Sequence, residues 1–193
     1  MKIPITQAAP DLPPVPRPLV EKANALYTYL MHSRAPLGEQ LQAVYRYTDE
    51  FSPFIAPFMS CSKGCSYCCH MDVQITTLEA EYIQVHAGVT LRDAGTITTG
   101  HRDPCPFLAR GGSCGIYSAR PLMCRLYHAV GEPANFQPGR SQIHYGHAPL
   151  FGNPIYANLV RWVHHATIDG GGTLRDLRDF FPGRVALKNR VDI

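Results

Sequence analysis

Apolar residues recur with a helical period along most of the chain. Leu19, Ala23, Leu26 and Leu30 fall near one face of LVEKANALYTYLMH, which predicts a helix over residues 19–32. Leu37, Leu41, Val44 and Tyr45 form a second stripe in LGEQLQAVYRYTDEF, with Pro36 at a first-turn position. The run SPFIAPF should break regular structure before residue 61. Thr76 and Glu79 have capping-box spacing, so a third helix should open there and stop near Gly88. It should turn Leu78, Tyr82, Ile83 and Val85 inward. Residues 89–104 carry a weaker pattern, compatible with a short helix and a loop.

Farther along, Gly111 and Gly112 suit a tight turn, and Arg120-Pro121 should start a short helical segment. Residues 129–154, rich in Pro, Gly and His, read as irregular. Ile155, Leu159, Trp162, Val163 and Ala166 predict an amphipathic helix over 155–168. The linker Gly170-Gly171-Gly172 ends it, and TLRDLRDFF makes a last short helix. Arg175 and Arg178, alternating with Asp176 and Asp179, read there as a solvated face. There is no internal repeat and no strand–helix alternation of the kind that builds a parallel sheet. The expected fold is mainly α: a small single domain of helices packed around an irregular cysteine-rich metal-binding centre. Residues 1–18 are a proline-rich arm, residues 19–193 the domain, and residues 61–128 its cysteine core.

Composition narrows the function. The 193 residues are enough for one domain with a real core, and 45% hydrophobic content is ordinary for a globular protein. A net charge of +3 calls for neither nucleic acid nor an acidic membrane. The N-terminus lacks the apolar stretch of a secretory signal, and no segment is long enough to span a membrane. A soluble, cytoplasmic protein is expected, where thiols stay reduced. Seven cysteines is also an odd number, so disulfides cannot use them all.

Those cysteines carry the chemistry. Cys61, Cys65, Cys68 and Cys69 lie within CSKGCSYCCH, and Cys105, Cys114 and Cys124 within CPFLARGGSCGIYSARPLMCR. Thiolates are strong ligands for zinc, iron–sulfur clusters and copper(I), and crowded free thiols oxidise readily. Short spacings let sulfurs converge without a large loop-closure cost. The adjacent Cys68 and Cys69 point in different directions, so they either bridge two metal centres or divide, one binding and one packing. His70 and His128 are the nearest candidates for an eighth ligand. Arg120 and Arg125 border the cluster and would offset thiolate charge. Three close cysteines plus a remote one suit a four-iron cluster, whereas paired cysteines also suit zinc. Met59, Met71 and Met123 leave a smaller place for copper(I).

The joint pattern C-x3-C-x2-CC, CPFL, CGIY and RP-x2-CR resembles the YkgJ-type cysteine-cluster family, described as a zinc- or iron-chelating domain, over residues 61–128. The resemblance implies that all seven cysteines are cluster residues and that Tyr117, Arg120, Pro121 and Arg125 match its characteristic IY-x2-RP-x2-CR segment. A similar cysteine segment in flagellin lysine methylase implies that iron–sulfur chemistry is open to such a domain.

Two classes of function follow. One is a metal-binding protein with a redox, electron-transfer or accessory role; the other is a structural-zinc interaction module or metal carrier, with an unidentified protein partner. An iron–sulfur enzyme of methylase-like or radical type is a minor alternative, because a capped helix and further cysteines follow the motif where a β/α barrel would be required. Hydrolytic zinc chemistry would need an acid such as Asp72, Glu79 or Glu81 at an open site, and Glu79 is more simply a helix cap. No phosphate loop, nucleophile elbow or HExxH pair occurs.

Overall fold

The computed structural model describes residues 13–60, 64–92, 95–129, 144–145 and 153–185. Most of the proline-rich arm lies outside these residues, as does most of 129–154. The fold is mainly α, with six α-helices and two short antiparallel strand pairs among the described residues.

Helix α1, Arg17–His32, begins two residues before its predicted start, because Pro18 fits the first turn, where no N–H is needed. It buries Ala23, Leu26 and Leu30 against α2, Leu37–Ile55. Pro36 is the N-cap of α2 rather than a residue of its first turn, and Leu37 is 38% exposed. Leu41, Val44, Tyr45, Phe51 and Ile55 form its buried face.

Helix α2 also runs through Pro53, where a break was expected. The proline is on the solvent side, whereas Phe51 and Ile55 on either side of it are fully enclosed. Phe51 meets Phe54 and Tyr156 at ring distances of 5.4 and 4.9 Å. That packing offsets the one backbone hydrogen bond the proline cannot make. A 3-10 turn, Ala56–Phe58, follows.

Helix α3, Thr77–Ala87, has the capping box at Thr76 and Glu79 and ends at Gly88 in the left-handed region, φ 63°. Leu78, Tyr82 and Ile83 are buried, but Val85 is 74% exposed. At 100° per residue, Val85 lies about 200° from Ile83 and so faces solvent. Residues 89–92 and 95–104 are loop, with no helix among them. Helix α4, Leu122–Leu126, follows Pro121 as expected. Helix α5, Pro154–Asp169, is capped by Asn153, whose side chain accepts from the Ile155 N–H at 2.9 Å.

The strand pairs were not foreseen. Strand β1, Gln74–Thr76, runs antiparallel to β4, Leu174–Asp176, with Ile75 opposite Arg175. Strand β2, His128–Ala129, pairs with β3, His144–Tyr145. The first half of the expected last helix is therefore strand, and only α6, Leu177–Phe180, is helical. The expected solvated charge face is buried as well: Arg175, Asp176, Arg178 and Asp179 are all below 10% exposed. The two carboxylates and Arg178 find partners inside the protein. Asp176 accepts from the Val73 N–H and from Arg178, and Asp179 from the Thr98 N–H and hydroxyl. The ribbon β1–β4 thus seats the C-terminal segment against the chain that leaves the first cysteine segment.

Candidate metal centre

A 3-10 turn, Tyr67–His70, carries Cys68 and Cys69. The Cys69 N–H donates to the Ser66 carbonyl at 2.9 Å and the Met71 N–H to the Cys68 carbonyl at 3.2 Å. The second segment folds into a tight loop. Leu108 bridges to Cys114, the Ala109 N–H donates to Ser113, and the Gly115 N–H donates to Phe107. Gly112 makes the turn at φ 80°, and a Cβ there would lie 3.4 Å from the Gly64 carbonyl oxygen. The left-handed backbone angle favours glycine there, and the loop passes in van der Waals range of the first segment. The two segments also join directly, the Cys105 N–H donating to the Cys69 carbonyl at 2.7 Å.

Cys124 arrives on α4, whose start is fixed by Glu79: its carboxylate accepts from the Leu122 N–H at 2.7 Å. The same buried carboxylate accepts from the Thr76 N–H at 2.9 Å, the Thr76 hydroxyl at 3.1 Å and the Tyr45 hydroxyl at 3.2 Å. Sequence reasoning identified the cap on α3 but not the reach to α4, which only the tertiary fold supplies.

The electrostatics show which sulfurs share one environment. Cys68 interacts with Cys69, Cys105, Cys114 and Cys124. The Cys69 side chain hydrogen-bonds Cys68 and draws its thiol down to about 7, while the same bond, and burial, push Cys69 up. Burial pushes Cys105 up to about 11 and raises Cys114. Cys124 is raised most by burial, then by Cys105, Cys68, Cys114 and Glu79. These five thiols lie close enough that charging one opposes charging the next, although no three cysteine sulfurs among the described residues come within 4.8 Å of one another. A bound cation reverses that opposition, since metal ligation deprotonates a thiol outright. These five cysteines and Cys65 are free thiols. Cys65 is half-buried on the same segment, three residues before Cys68. Cys61 lies outside the described residues.

The other predicted residues divide. His128 is half-buried; burial first, then Arg120, lowers its pKa to about 4, and its buried Nε2 has no hydrogen-bond partner. A neutral imidazole with an unused ring nitrogen is a ready metal ligand. His70 is exposed and lines an open cleft of about 730 Å³ with Tyr67, Asp72, His101 and Arg102. Arg120 stacks on Tyr117, its guanidinium carbon 3.8 Å from the ring centre, and its charge acts on Cys114. Arg125 points its fork elsewhere: to Asp49 at 2.6 Å, to the carbonyls of Ser118 and Arg120, and over the Tyr45 ring.

Asp72, His101 and Asp176 bring ligating atoms within 4.8 Å of one another beside the cleft. Each already takes part in hydrogen bonds. Asp72 accepts from the N–H groups of Gly100 and His101, and Asp176 from Val73 and Arg178. Thr98 gives its hydroxyl proton to Asp179, so its contact with His101 Nε2 at 2.7 Å makes the imidazole the donor. The cluster is a satisfied hydrogen-bond network.

The two cysteine segments, joined by the Cys105–Cys69 hydrogen bond and without a disulfide among their described cysteines, offer soft thiol ligands to a metal. Residues 60–145 match the family CxxCxxCC, described as "Putative zinc- or iron-chelating domain". The recognition drawn from the four cysteine submotifs holds over this segment, and the family's description supports metal binding by cysteines. In this chain the first spacing is three residues, Cys61 to Cys65, rather than two. No curated protein and no solved structure matches the chain. No helix among the described residues is long and apolar enough to cross a membrane.

Proposed function

We propose that both cysteine segments ligate one iron–sulfur centre with a redox, electron-transfer or accessory role. The observation that carries this reading is the arrangement of the thiols. Cys61, Cys65 and Cys68 form a close run, and the remote Cys105, Cys114 and Cys124 interact electrostatically with Cys68. A four-iron cluster takes three cysteines from a close run and one from afar. All seven cysteines, Cys61, Cys65, Cys68, Cys69, Cys105, Cys114 and Cys124, are the proposed ligand set, from which such a cluster takes four. Residues 19–193 form one domain around this core, and the reduced thiols suit the cytoplasm.

A structural zinc site, holding an interaction module together, is the second reading. It is favoured by the unpartnered Nε2 of His128, which would give a mixed sulfur and nitrogen donor set. Elemental analysis of anaerobically purified protein separates them. Iron with acid-labile sulfide and visible absorbance bleached on reduction supports the first; colourless protein with stoichiometric zinc supports the second.

A further inference from the structure

Arg178 belongs to the C-terminal segment, far from the cysteines in sequence, yet its side chain is 7% exposed and reaches both cysteine segments. Its Nη2 donates to the Met71 carbonyl at 3.1 Å, two residues past Cys69. Its Nε donates to the Asp103 carbonyl at 2.9 Å, two residues before Cys105. Its Nη1 is held on Asp176 at 3.0 and 3.2 Å, and Asp176 in turn accepts from the Val73 N–H at 2.7 Å.

We propose that Arg178 is a positioning residue for the metal centre: one planar fork, aimed by Asp176, sets the distance between the two cysteine segments so that their sulfurs face a shared ion. The inference rests on the metal-centre reading above.

Two features make this more than general packing. A guanidinium presents several N–H donors at fixed angles in one plane, so contacts to two carbonyls and a carboxylate fix relative position as well as proximity. The two carbonyls flank the Cys105–Cys69 hydrogen bond, which is the direct join between the segments. Charged or titratable groups facing the guanidinium are Asp176 and Asp72, with His101 beyond Asp176 at 3.6 Å. Groups that support metal ligands in this way typically change affinity by about 10–100-fold when removed.

The test uses the full chain, reduced and metal-free, with Co2+ as the probe, and compares wild type with Arg178→Lys and Arg178→Met. Thiolate-to-cobalt absorbance per bound ion reports how many sulfurs ligate it. Both variants should bind Co2+ about tenfold more weakly or worse, with lower absorbance per bound ion and unchanged helical circular dichroism. Lysine keeps the charge but not the fork, so it should fall between wild type and methionine. In metal-free protein, exchange of the Cys105 amide should speed by about tenfold in Arg178→Lys. Wild-type absorbance and affinity in Arg178→Lys, or an unchanged Cys105 exchange rate, overturns the inference. Wild-type protein that takes up no Co2+, zinc or iron overturns the metal-centre reading instead, and amide exchange then still decides the role of Arg178.

Discussion

The Cys105 N–H donates to the Cys69 carbonyl across 2.7 Å, joining two segments that are 36 residues apart (105 − 69). That bond makes the two halves of the cysteine pattern one unit. Loss of a sulfur from either half should therefore have a similar effect. Cys68→Ser and Cys105→Ser should each weaken metal binding, measured by chelator competition, by at least the roughly 10–100-fold that removal of a supporting group costs. A variant in one segment that binds like wild type would place the centre in the other segment alone.

Glu79 is the second junction. One buried carboxylate receives the Thr76 N–H and hydroxyl, the Tyr45 hydroxyl and the Leu122 N–H. Glu79→Ala strands these buried donors and should cost about 3 kcal/mol in chemical denaturation. Glu79→Gln should be almost as damaging, since both carboxylate oxygens accept and an amide nitrogen can replace neither. A loss below about 1 kcal/mol in both variants would mean that the junction is dispensable.

Titration of the metal-free, reduced protein should give a stability maximum near pH 9. His128, lowered from 6.5 to about 4, favours the neutral ring in the folded state, so its contribution is present above 6.5 and is lost as pH falls through 4. The Cys68–Cys69 pair ionises first near 7 when folded, against 9.0 when unfolded, which adds stability as pH rises over that interval. Cys105 acts in the opposite sense: raised from 9.0 to about 11, it contributes below 9.0 and loses that contribution as pH climbs through 11. Cys114 and Cys124, also raised, add to the alkaline loss. Melting temperatures across this range test the profile; a melting temperature still rising above pH 10 contradicts it.

Gly172 lies at a close approach rather than in a free linker. A Cβ there would meet the Thr167 Cγ2 at 2.7 Å and the Thr77 Cβ at 3.0 Å. Gly172→Ala should lower stability by about 1–3 kcal/mol, measured by denaturant unfolding, through overpacking at the α3–α5 contact. A neutral result would show that the two helix ends can move apart freely.

Local signals made much of the helical fold legible. The stripe Ala23, Leu26 and Leu30, the box at Thr76 and Glu79, and the stop at Gly88 each depend on neighbours within a few residues, and each is present as read. Two features were hidden because they depend on distant partners. Pro53 reads as a breaker until Tyr156, a hundred residues later, packs on Phe51. The run Leu174–Phe180 reads as an exposed charged helix until the strand at Gln74–Thr76 pairs with its first half and carbonyls at Met71 and Asp103 receive Arg178. In the centre, spacing identified the thiols, but the burial of His128 and the turning of Arg125 toward Asp49 depend on tertiary contacts.

The most direct test is metal and acid-labile sulfide per chain in anaerobically purified protein, measured together with the number of thiols open to alkylation before and after chelation. Stoichiometric iron and sulfide, with cysteines of both segments shielded until the metal is removed, is the predicted result. Folded protein that carries no metal, with all seven thiols reactive from the outset or paired as disulfides, would contradict it.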